Sequence, residues 1–231
     1  MQRTLFWQHG TLPIKIERFE FDLSTLPLNE TQAELEAYIA SKSDGESQTW
    51  GYFPEMQPDP ADYPATSQLI TDFNEQVINK YILLKAQDPQ LAFVRRAIAE
   101  PQSNFGGVHV DACAGIGHTW PTNVDQSLEV WRMLFNLDTT ARTLEYFPMT
   151  TADLAEKGLV VSKDHYEMLN LPEDLKHQTI DIPAREENAI YGLSFVSTWI
   201  PHAGRTTKEG HFLISYGSYI DTDVIKQVFQ K

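Results

Sequence analysis

Two residue types that bind metals stand two positions apart in the segment FGGVHVDA, residues 105–112. On a β-strand, residues i and i+2 point to the same face of the sheet, so His109 and Asp111 would be neighbours. Imidazole binds transition metals and titrates near neutrality, and a carboxylate adds a charged oxygen donor. The pair therefore predicts part of a metal site that needs a further ligand from elsewhere in the chain.

The candidate for that further ligand is His202, in the segment IPHAG at residues 200–204. It ends an apolar, β-type run that begins near residue 190, and a turn over residues 205–210 leads into another β-type run. Two histidines and one carboxylate on one face leave positions open for oxygen and a substrate, an arrangement typical of non-haem iron. We therefore expect His109, Asp111 and His202 to hold one iron ion.

The order and spacing of these elements over residues 100–220 resemble the iron(II)/2-oxoglutarate-dependent dioxygenase superfamily. That superfamily carries His-x-Asp on an early strand of a double-stranded β-helix and the distal histidine near the last two strands. The resemblance implies an enzyme with Fe(II) as cofactor, 2-oxoglutarate as cosubstrate and O2 as oxidant. It implies hydroxylation or desaturation of a substrate. The chain length favours a small molecule, since little chain remains for a module that recognises a protein or a nucleic acid, and an amino-acid-like compound is the favoured example. Asp111 disfavours halogenation, since halogenases of the superfamily have a small residue there.

The part of the pattern that binds 2-oxoglutarate departs from the superfamily. Its members usually hold the distal carboxylate with an Arg or Lys about ten residues after the distal histidine, often in Arg-x-Ser. Here His211 stands near that distance, and a leucine lies where the base would precede Ser215. His211 and Ser215 are nevertheless predicted to contact the cosubstrate. The best substitute is Arg132, because residues 128–135 are apolar on both faces of a predicted strand and a buried guanidinium needs an anion. A structural ion pair is the alternative role for Arg132.

Other residues are candidates for the rest of the pocket. Arg142, Arg205 and Lys208 are lesser candidates for the carboxylate, with the last two at the rim. His118 and Trp120 follow the metal strand closely and could cover the iron, with a packed loop as the alternative. We therefore predict a substrate pocket that includes His118, Trp120 and Arg205.

The predicted elements are mostly strands. Apolar runs and alternation predict strands over residues 3–8, 13–22, 105–112, 128–137, 141–147, 177–183, 189–201 and 211–219. Helical spacing and capping residues predict helices over residues 31–43, 65–87, 89–100, 152–157 and 164–170. The predicted fold is mainly β with flanking helices (α+β), a double-stranded β-helix of the jelly-roll or cupin-like type, buttressed by N-terminal helices.

Two features of the N-terminal part of the chain bear on its helices. Thr31 and Glu34 stand three residues apart before an apolar stripe, which predicts a capping box at the start of the first helix. Residues 44–64 are rich in Gly, Pro and aromatic residues, which predicts a long loop that could line a binding site.

Length and charge limit the function classes. A chain of 231 residues fits one domain, with residues 1–100 supplying N-terminal strands and supporting helices and residues 101–231 most of the barrel. The net charge of −14 disfavours nucleic acids and anionic membranes as partners.

Cys113 is the only cysteine, which excludes an internal disulfide and suits a reducing cytoplasm. No apolar run approaches a membrane span, no export signal is evident, and the oligomeric state is not predicted.

Two other functions remain open at this point. An iron oxidase that takes its electrons from the substrate would explain the missing Arg-x-Ser motif. A cupin-like barrel that binds a ligand or a structural metal, without oxygen chemistry, would explain the strand pattern alone.

Overall fold

The computed structural model describes two helices, a short 3-10 helix and twelve strands in two antiparallel sheets. The described residues are 3–9, 12–20, 22–42, 50–52, 59–77, 91–97, 108–110, 129–147, 156–157, 167–169, 175, 177–196, 202–205 and 211–220. Strands make up most of the regular structure in this part of the chain, so the fold is mixed and rich in β-structure.

The helices are α1 (Leu28–Lys42) and α2 (Pro64–Gln76), and the 3-10 helix covers Leu23–Thr25. The strands are β1 (Arg3–His9), β2 (Leu12–Glu20), β3 (Trp50–Tyr52), β4 (Leu91–Ala97), β5 (Val108–Val110), β6 (Glu129–Asn136), β7 (Arg142–Tyr146), β8 (Glu167–Leu169), β9 (Gln178–Ile182), β10 (Ala189–Val196), β11 (His202–Arg205) and β12 (His211–Ile220).

The two sheets are formed by strands that alternate between them. The first sheet has the order β1-β2-β10-β6-β12-β4-β3, and the second has the order β8-β5-β11-β7-β9. Four antiparallel pairs are nested along the chain, β4 with β12, β5 with β11, β6 with β10 and β7 with β9. The chain therefore runs out through β4 to β7 and returns through β9 to β12 as one long hairpin. Successive pairs of that hairpin belong to alternate sheets.

An apolar core lies between the two sheets. Its members from the second sheet are Leu144, Tyr146, Ile180 and Ile182, and its members from the first sheet are Ile16 and Leu193. Leu134 and Tyr191 pack against this cluster while remaining partly exposed. Each sheet thus buries one face against the other, as two packed sheets require. We call these two faces the inner faces.

The other face of the first sheet is covered by helix α2. The ring of Phe73 in α2 packs edge-on against Phe135 of β6, with ring centroids 4.7 Å apart. Phe135 makes a second edge-on contact with Phe19 of β2, at 5.4 Å. Edge-to-face pairs of this kind are favourable beyond the apolar area that they bury. The prediction that an N-terminal helix supports the sheet agrees with this contact.

Gly192 of β10 lies where these aromatic rings leave no room for a side chain. A Cβ atom at position 192 would lie 2.6 Å from Met133 Cε, 2.8 Å from Phe135 Cε1 and 3.0 Å from Phe19 Cε2. Real Cβ atoms do not approach other atoms so closely in a packed interior. Glycine at this position therefore allows the aromatic layer to sit directly on the strand.

Helix α2 is capped by a carboxylate from helix α1. Glu34 accepts hydrogen bonds from the amides of Ala65 (2.9 Å) and Thr66 (2.8 Å), and from the Thr66 hydroxyl (2.7 Å). The predicted capping box at Thr31 is wrong, because α1 begins at Leu28 and the Thr31 amide donates to Pro27 O at 2.9 Å. Glu34 instead binds amides at the start of the next helix that have no partner within that helix, where a negative charge is favourable.

The connection between β6 and β7 is held by side chains that cross between segments. Asn136 Nδ2 donates to the carbonyls of Thr140 (2.9 Å) and Pro183 (3.0 Å). Asp138 Oδ2 accepts from the Phe212 amide at 2.7 Å, at the start of β12. These bonds tie the turn that precedes β7 to the first sheet, and so they fix where β7 begins.

Three predicted elements differ from the structure. The helix predicted over residues 89–100 is wrong, because residues 91–97 form β4 between β3 and β12. The helix predicted over residues 164–170 is also wrong, since residues 167–169 form β8 against β5. Leu, Ala, Arg, Glu and Met all favour helices locally, and strand pairing with distant segments outweighs that preference. The helix predicted to reach residue 87 ends at Gln76, with Val77 as its C-cap.

Further boundaries are also revised. The long loop predicted over residues 44–64 contains β3 in its middle. Of the short helix predicted over residues 152–157, only residues 156–157 are described, and the first of them is helical. The strand predicted over residues 189–201 corresponds to β10, which lies in the first sheet and ends at Val196. His202 therefore does not end that strand; it begins β11 in the second sheet.

The described helices also bear on membrane association. Within the part of the chain described above, no helix has the length and the apolar composition that crossing a membrane requires.

Candidate metal centre

Three ring-bearing residues form a row across the second sheet. His202, at the start of β11, lies directly opposite His109 of β5 on one side and Tyr146 of β7 on the other. Directly opposed residues of antiparallel strands share one face of the sheet, with Cα atoms about 4.5–5.5 Å apart. The register therefore places His109, His202 and Tyr146 on the same face.

That face is the inner face of the sheet. Tyr146 is completely buried and belongs to the core cluster between the two sheets. His202 is also buried, with 3% of its surface exposed. Burial of this kind suits a histidine that binds a transition metal, because an apolar shell around a metal site controls the access of solvent.

The imidazole of His202 stacks on the ring of Tyr146. The ring centroids lie 5.4 Å apart and the planes are inclined by only 20°. Tyr146 itself is held on the inner face with Leu144, which also belongs to the core cluster. One face of the His202 ring is thus set against a buried, packed side chain.

The other two predicted ligands are described less fully. The backbone of His109 belongs to β5, and its side chain lies outside the description. Asp111 follows β5 by one residue and lies outside the described residues altogether. The structure thus brings the backbones of His109 and His202 together and leaves the carboxylate of the predicted triad as a prediction.

The described part of the predicted donor set is a single imidazole, that of His202. His202 is buried and shares its face with a second histidine position, and nitrogen donors of this kind suit iron, zinc, copper and nickel. Among side chains in the described ranges, no group of three His, Cys, Asp or Glu residues comes together. Of the three predicted ligands, only His202 has a side chain within those ranges.

The residues predicted to bind the cosubstrate lie on the first sheet, whereas the strands of the predicted metal ligands belong to the second. In the pairing of β12 with β6, Gly217 lies opposite Arg132 and Ser215 lies opposite Leu134. Leu134 packs against the core between the sheets, and residues alternate between faces along a strand. Positions 132 and 215, and by the same alternation His211, therefore fall on the inner face. Their side chains lie outside the description.

Arg142 is the arginine whose buried position is described. It begins β7, is 6% exposed, and shares the inner face with Leu144 and Tyr146 in an alternating burial pattern. It lies opposite Ile182 of β9. Tyr146 lies four positions further along the same strand, which corresponds to about 13 Å.

The residues predicted to line the substrate pocket are placed as follows. Arg205 of β11 lies opposite Thr143 of β7, whose hydroxyl donates to the exposed Asp181 at 2.7 Å. Arg205 lies three positions after His202 on β11, so strand alternation puts position 205 on the outer face. The side chain of Arg205 is not described, and His118, Trp120 and Lys208 lie outside the described residues.

His177 provides a contrast with His202. Its side chain is 43% exposed, its Nε2 lies 4.0 Å from Glu145 Oε1, and its ring contacts Phe147 at 5.5 Å. Glu145 alternates with the inner-face residues of β7 and so lies on the outer face. His177 therefore belongs to the surface of the second sheet and makes a suitable control for experiments on His202.

Tyr146 is a site residue that the sequence did not identify. The alternation of Arg142, Leu144 and Tyr146 is visible in the sequence and could have assigned all three to one face. The contact of Tyr146 with His202 depends on the pairing of β7 with β11, and a local sequence pattern does not predict which strands pair.

No protein family model matches the sequence, and a search of curated proteins found no match. The functional interpretation therefore depends on the residues of the site and on their positions in the two sheets.

Proposed function

We propose that this chain is a non-haem Fe(II)- and 2-oxoglutarate-dependent oxygenase that hydroxylates or desaturates a small molecule. The observation that carries the proposal is the direct pairing of His202 with His109, on a face buried between two sheets. Asp111, two residues after His109, completes the two-histidine, one-carboxylate set that leaves positions open on iron.

The order of the strands supports this proposal. Four nested antiparallel pairs over two sheets support our proposal that the fold is a double-stranded β-helix, the jelly-roll barrel of the cupins. The nested pairs contain eight strands, which are β4 to β7 followed by β9 to β12 in chain order. Of these eight, β5 is the second and β11 is the seventh. In the superfamily that the sequence resembles, the metal ligands likewise come from an early strand and from the end of the barrel.

The chemistry divides between the bound groups and the protein. Bound Fe(II) would let O2 and 2-oxoglutarate oxidise the substrate, giving succinate and CO2. The second oxygen atom of O2 would enter the substrate in hydroxylation, or leave as water with two substrate hydrogens in desaturation. The protein's share is to bind, orient and exclude water. The apolar inner faces on both sides of the site, including Leu144 and Leu193, suit that role because they keep bulk water from the centre.

Arg132 is the proposed anchor for the distal carboxylate of 2-oxoglutarate. Residues 137–141 connect β6 to β7, with residue 139 at the middle of the connection. Positions 132 and 146 each lie seven residues from residue 139, so they lie at similar distances from this turn along the two strands. Position 132 therefore lies across the interior from Tyr146 and His202, at a sheet separation of about 10 Å. A cosubstrate that bridges the metal and a guanidinium would span a gap of this kind.

Ser215 is proposed as a second contact for that carboxylate. It lies opposite Leu134, the next inner-face position along β6 from Arg132. Diagonal neighbours of this kind are about 7–8 Å apart in an antiparallel pair, within reach of a long side chain. Arg142 is the competing anchor, since its guanidinium is buried on the inner face of the opposite sheet.

The cellular setting and partners follow the same proposal. We propose a small-molecule substrate, and the net charge of −14 argues against nucleic acids. A single cysteine, Cys113, fits a protein of the reducing cytoplasm.

Release of succinate tests the proposal. The full chain, loaded anaerobically with Fe(II) and mixed with 2-oxoglutarate and air, should form succinate. Amino acids from a panel should then be added one at a time, and the one that is a substrate should increase the rate of succinate formation. His202→Ala should abolish succinate formation, whereas His177→Ala on the outer surface should not. Tight binding of iron without succinate would favour an oxidase that does not use 2-oxoglutarate. Absence of both would favour a ligand-binding barrel and contradict the proposal.

A further inference from the structure

We infer that Tyr146 is a positioning residue for His202, and that its ring fixes the plane in which the imidazole presents a nitrogen to a metal. This inference rests on the proposed function, because it assigns a role toward the same metal. It adds a residue that the two-histidine, one-carboxylate pattern does not include.

The geometry comes from two independent relationships. Tyr146 and His202 are direct backbone partners in the β7–β11 pair, which fixes the positions of their Cα atoms. Their rings are also stacked, with centroids 5.4 Å apart and planes inclined by 20°. The first relationship places the two residues side by side, and the second aligns their ring planes.

Ring alignment matters because the backbone alone does not determine it. The second side-chain torsion of histidine has a broad, roughly two-fold preference, so an imidazole on a strand can turn over a wide range. A metal site requires a nitrogen held within a narrow range of directions. A neighbouring ring that is itself immobile restricts the torsion that the backbone leaves free.

Tyr146 is well suited to be that immobile neighbour. It is completely buried, and it packs in the core cluster with Leu144, Ile180 and Leu193. Close packing of this kind holds a side chain in one rotamer, because the interior has few voids into which it could move. The rigidity of the inter-sheet core is therefore transmitted to His202 through one ring contact.

Metal affinity measured with Co(II) is the test, since cobalt replaces iron at such sites and has visible absorption bands that depend on ligand geometry. The variants are Tyr146→Phe, which keeps the ring, and Tyr146→Leu, which removes it. Tyr146→Met is a second ring-free variant, because methionine fills irregular gaps in cores. Phe73→Leu, which removes an equally buried ring from the far side of the first sheet, is the control for general destabilisation.

The expected result is a separation between ring-keeping and ring-free variants. Tyr146→Phe should keep the wild-type Co(II) affinity and absorption bands. Tyr146→Leu and Tyr146→Met should weaken Co(II) binding about 10–100-fold, the range found when groups that orient a metal ligand are removed, and should alter the bands. Phe73→Leu should lower the melting temperature without changing the affinity of the folded protein. Wild-type affinity in a folded ring-free variant, or an equal loss in Tyr146→Phe, would overturn the inference.

A measurement without metal separates this inference from the proposed function. Imidazole 15N and 1H resonances of the metal-free protein should show His202 shifted by the stacked ring in the wild type and in Tyr146→Phe. The shift should disappear in Tyr146→Leu. If the wild type binds no Co(II) yet shows this shift, the metal proposal fails while the positioning of His202 by Tyr146 stands. If the shift is absent from the wild type, the positioning inference fails whatever metal is bound.

Discussion

His202 and His109 are direct backbone partners in the antiparallel pair of β11 with β5. They come from segments far apart in the sequence, so the pairing depends on the long hairpin of nested strands and on no local turn. Because β5 and β11 lie inside the second sheet, with β8 and β7 on their outer sides, the two histidine positions are enclosed by further strands. A metal site at this position would be part of the sheet itself, and its integrity would depend on strand register.

Arg132→Met should raise the concentration of 2-oxoglutarate needed for half-maximal succinate release. Removing one partner of a buried, charge-assisted pair costs about 2–5 kcal/mol. That cost corresponds to an increase of at least about 30-fold in the half-maximal concentration. Steady-state assays over a range of 2-oxoglutarate concentrations measure the effect.

Arg142→Met is the matched control for that experiment. Its arginine is buried on the inner face of the opposite sheet, near the turn that precedes β7. An unchanged requirement in Arg132→Met together with a raised one in Arg142→Met would transfer the anchor to Arg142. An unchanged requirement in both variants would remove arginine anchors from the site.

Gly192→Ala should destabilise the fold by about 1–3 kcal/mol, the usual cost of overpacking a well-packed core. The added Cβ would lie 2.6 Å from Met133 Cε and 2.8 Å from Phe135 Cε1. Urea unfolding followed by tryptophan fluorescence measures the change in free energy of unfolding.

Ser194→Ala provides the comparison for Gly192→Ala on the same strand and face. Ser194 is 2% exposed, and its hydroxyl makes no hydrogen bond to the described part of the chain. Its removal should therefore change stability little. An equally stable Gly192→Ala variant would mean that the aromatic layer above β10 can move aside.

Glu34→Ala should lower stability by about 0.5–2 kcal/mol, because Glu34 caps α2 from a neighbouring helix. Three donors of Ala65 and Thr66 lose their acceptor in this variant. Glu75→Ala, near the other end of α2 and exposed, removes the same charge without removing a cap. Comparison of the two by thermal unfolding isolates the cap, and equal melting temperatures would contradict its importance.

Glu186 should make the stability of the fold depend on pH in the acidic range. Its pKa is lowered, chiefly by the hydrogen bond from Arg18 at 2.7 Å and then by the bond from the Tyr191 hydroxyl. A carboxyl whose pKa is lower in the folded state stabilises that state above its unfolded pKa of about 4.3. The contribution is lost as pH falls from that value through the lowered one.

Urea unfolding at pH 7 and at steps below pH 5 measures this effect. The wild type should lose more stability across that window than Glu186→Gln, and added salt should reduce the difference because the pair is exposed. Glu187→Gln, a change at the adjacent exposed carboxyl, should follow the wild type. Parallel curves for the wild type and Glu186→Gln would show that the Arg18 contact does not hold in solution.

Local patterns in the sequence were sufficient to predict most of the strands that carry the candidate site. The alternation through residues 141–147 and the apolar run from residue 128 correspond to β7 and β6 within one or two residues. The pattern failed at residues 91–97, where Leu, Ala and Arg favour a helix and pairing with β12 imposes a strand. That failure mattered, because β4 is the outer member of the nested pairs.

Contacts between distant segments were not predictable from the sequence. The sequence named His109 and His202 as partners by residue type, but their register depends on which strands pair and where. The stacking of Tyr146 on His202 and the capping of α2 by Glu34 have the same origin. Each of these contacts joins two segments that are far apart in the sequence, and the local pattern of neither segment indicates that it contacts the other.

The most direct measurement is the stoichiometry of metal binding under anaerobic conditions, by titration with Fe(II) and by Co(II) absorption. The wild type should bind one ion per chain, and so should His177→Ala. His202→Ala and the double variant His109→Ala/Asp111→Ala should each lose stoichiometric binding while remaining folded. Retention of one tightly bound ion by either of these variants would contradict a metal centre built from these three residues.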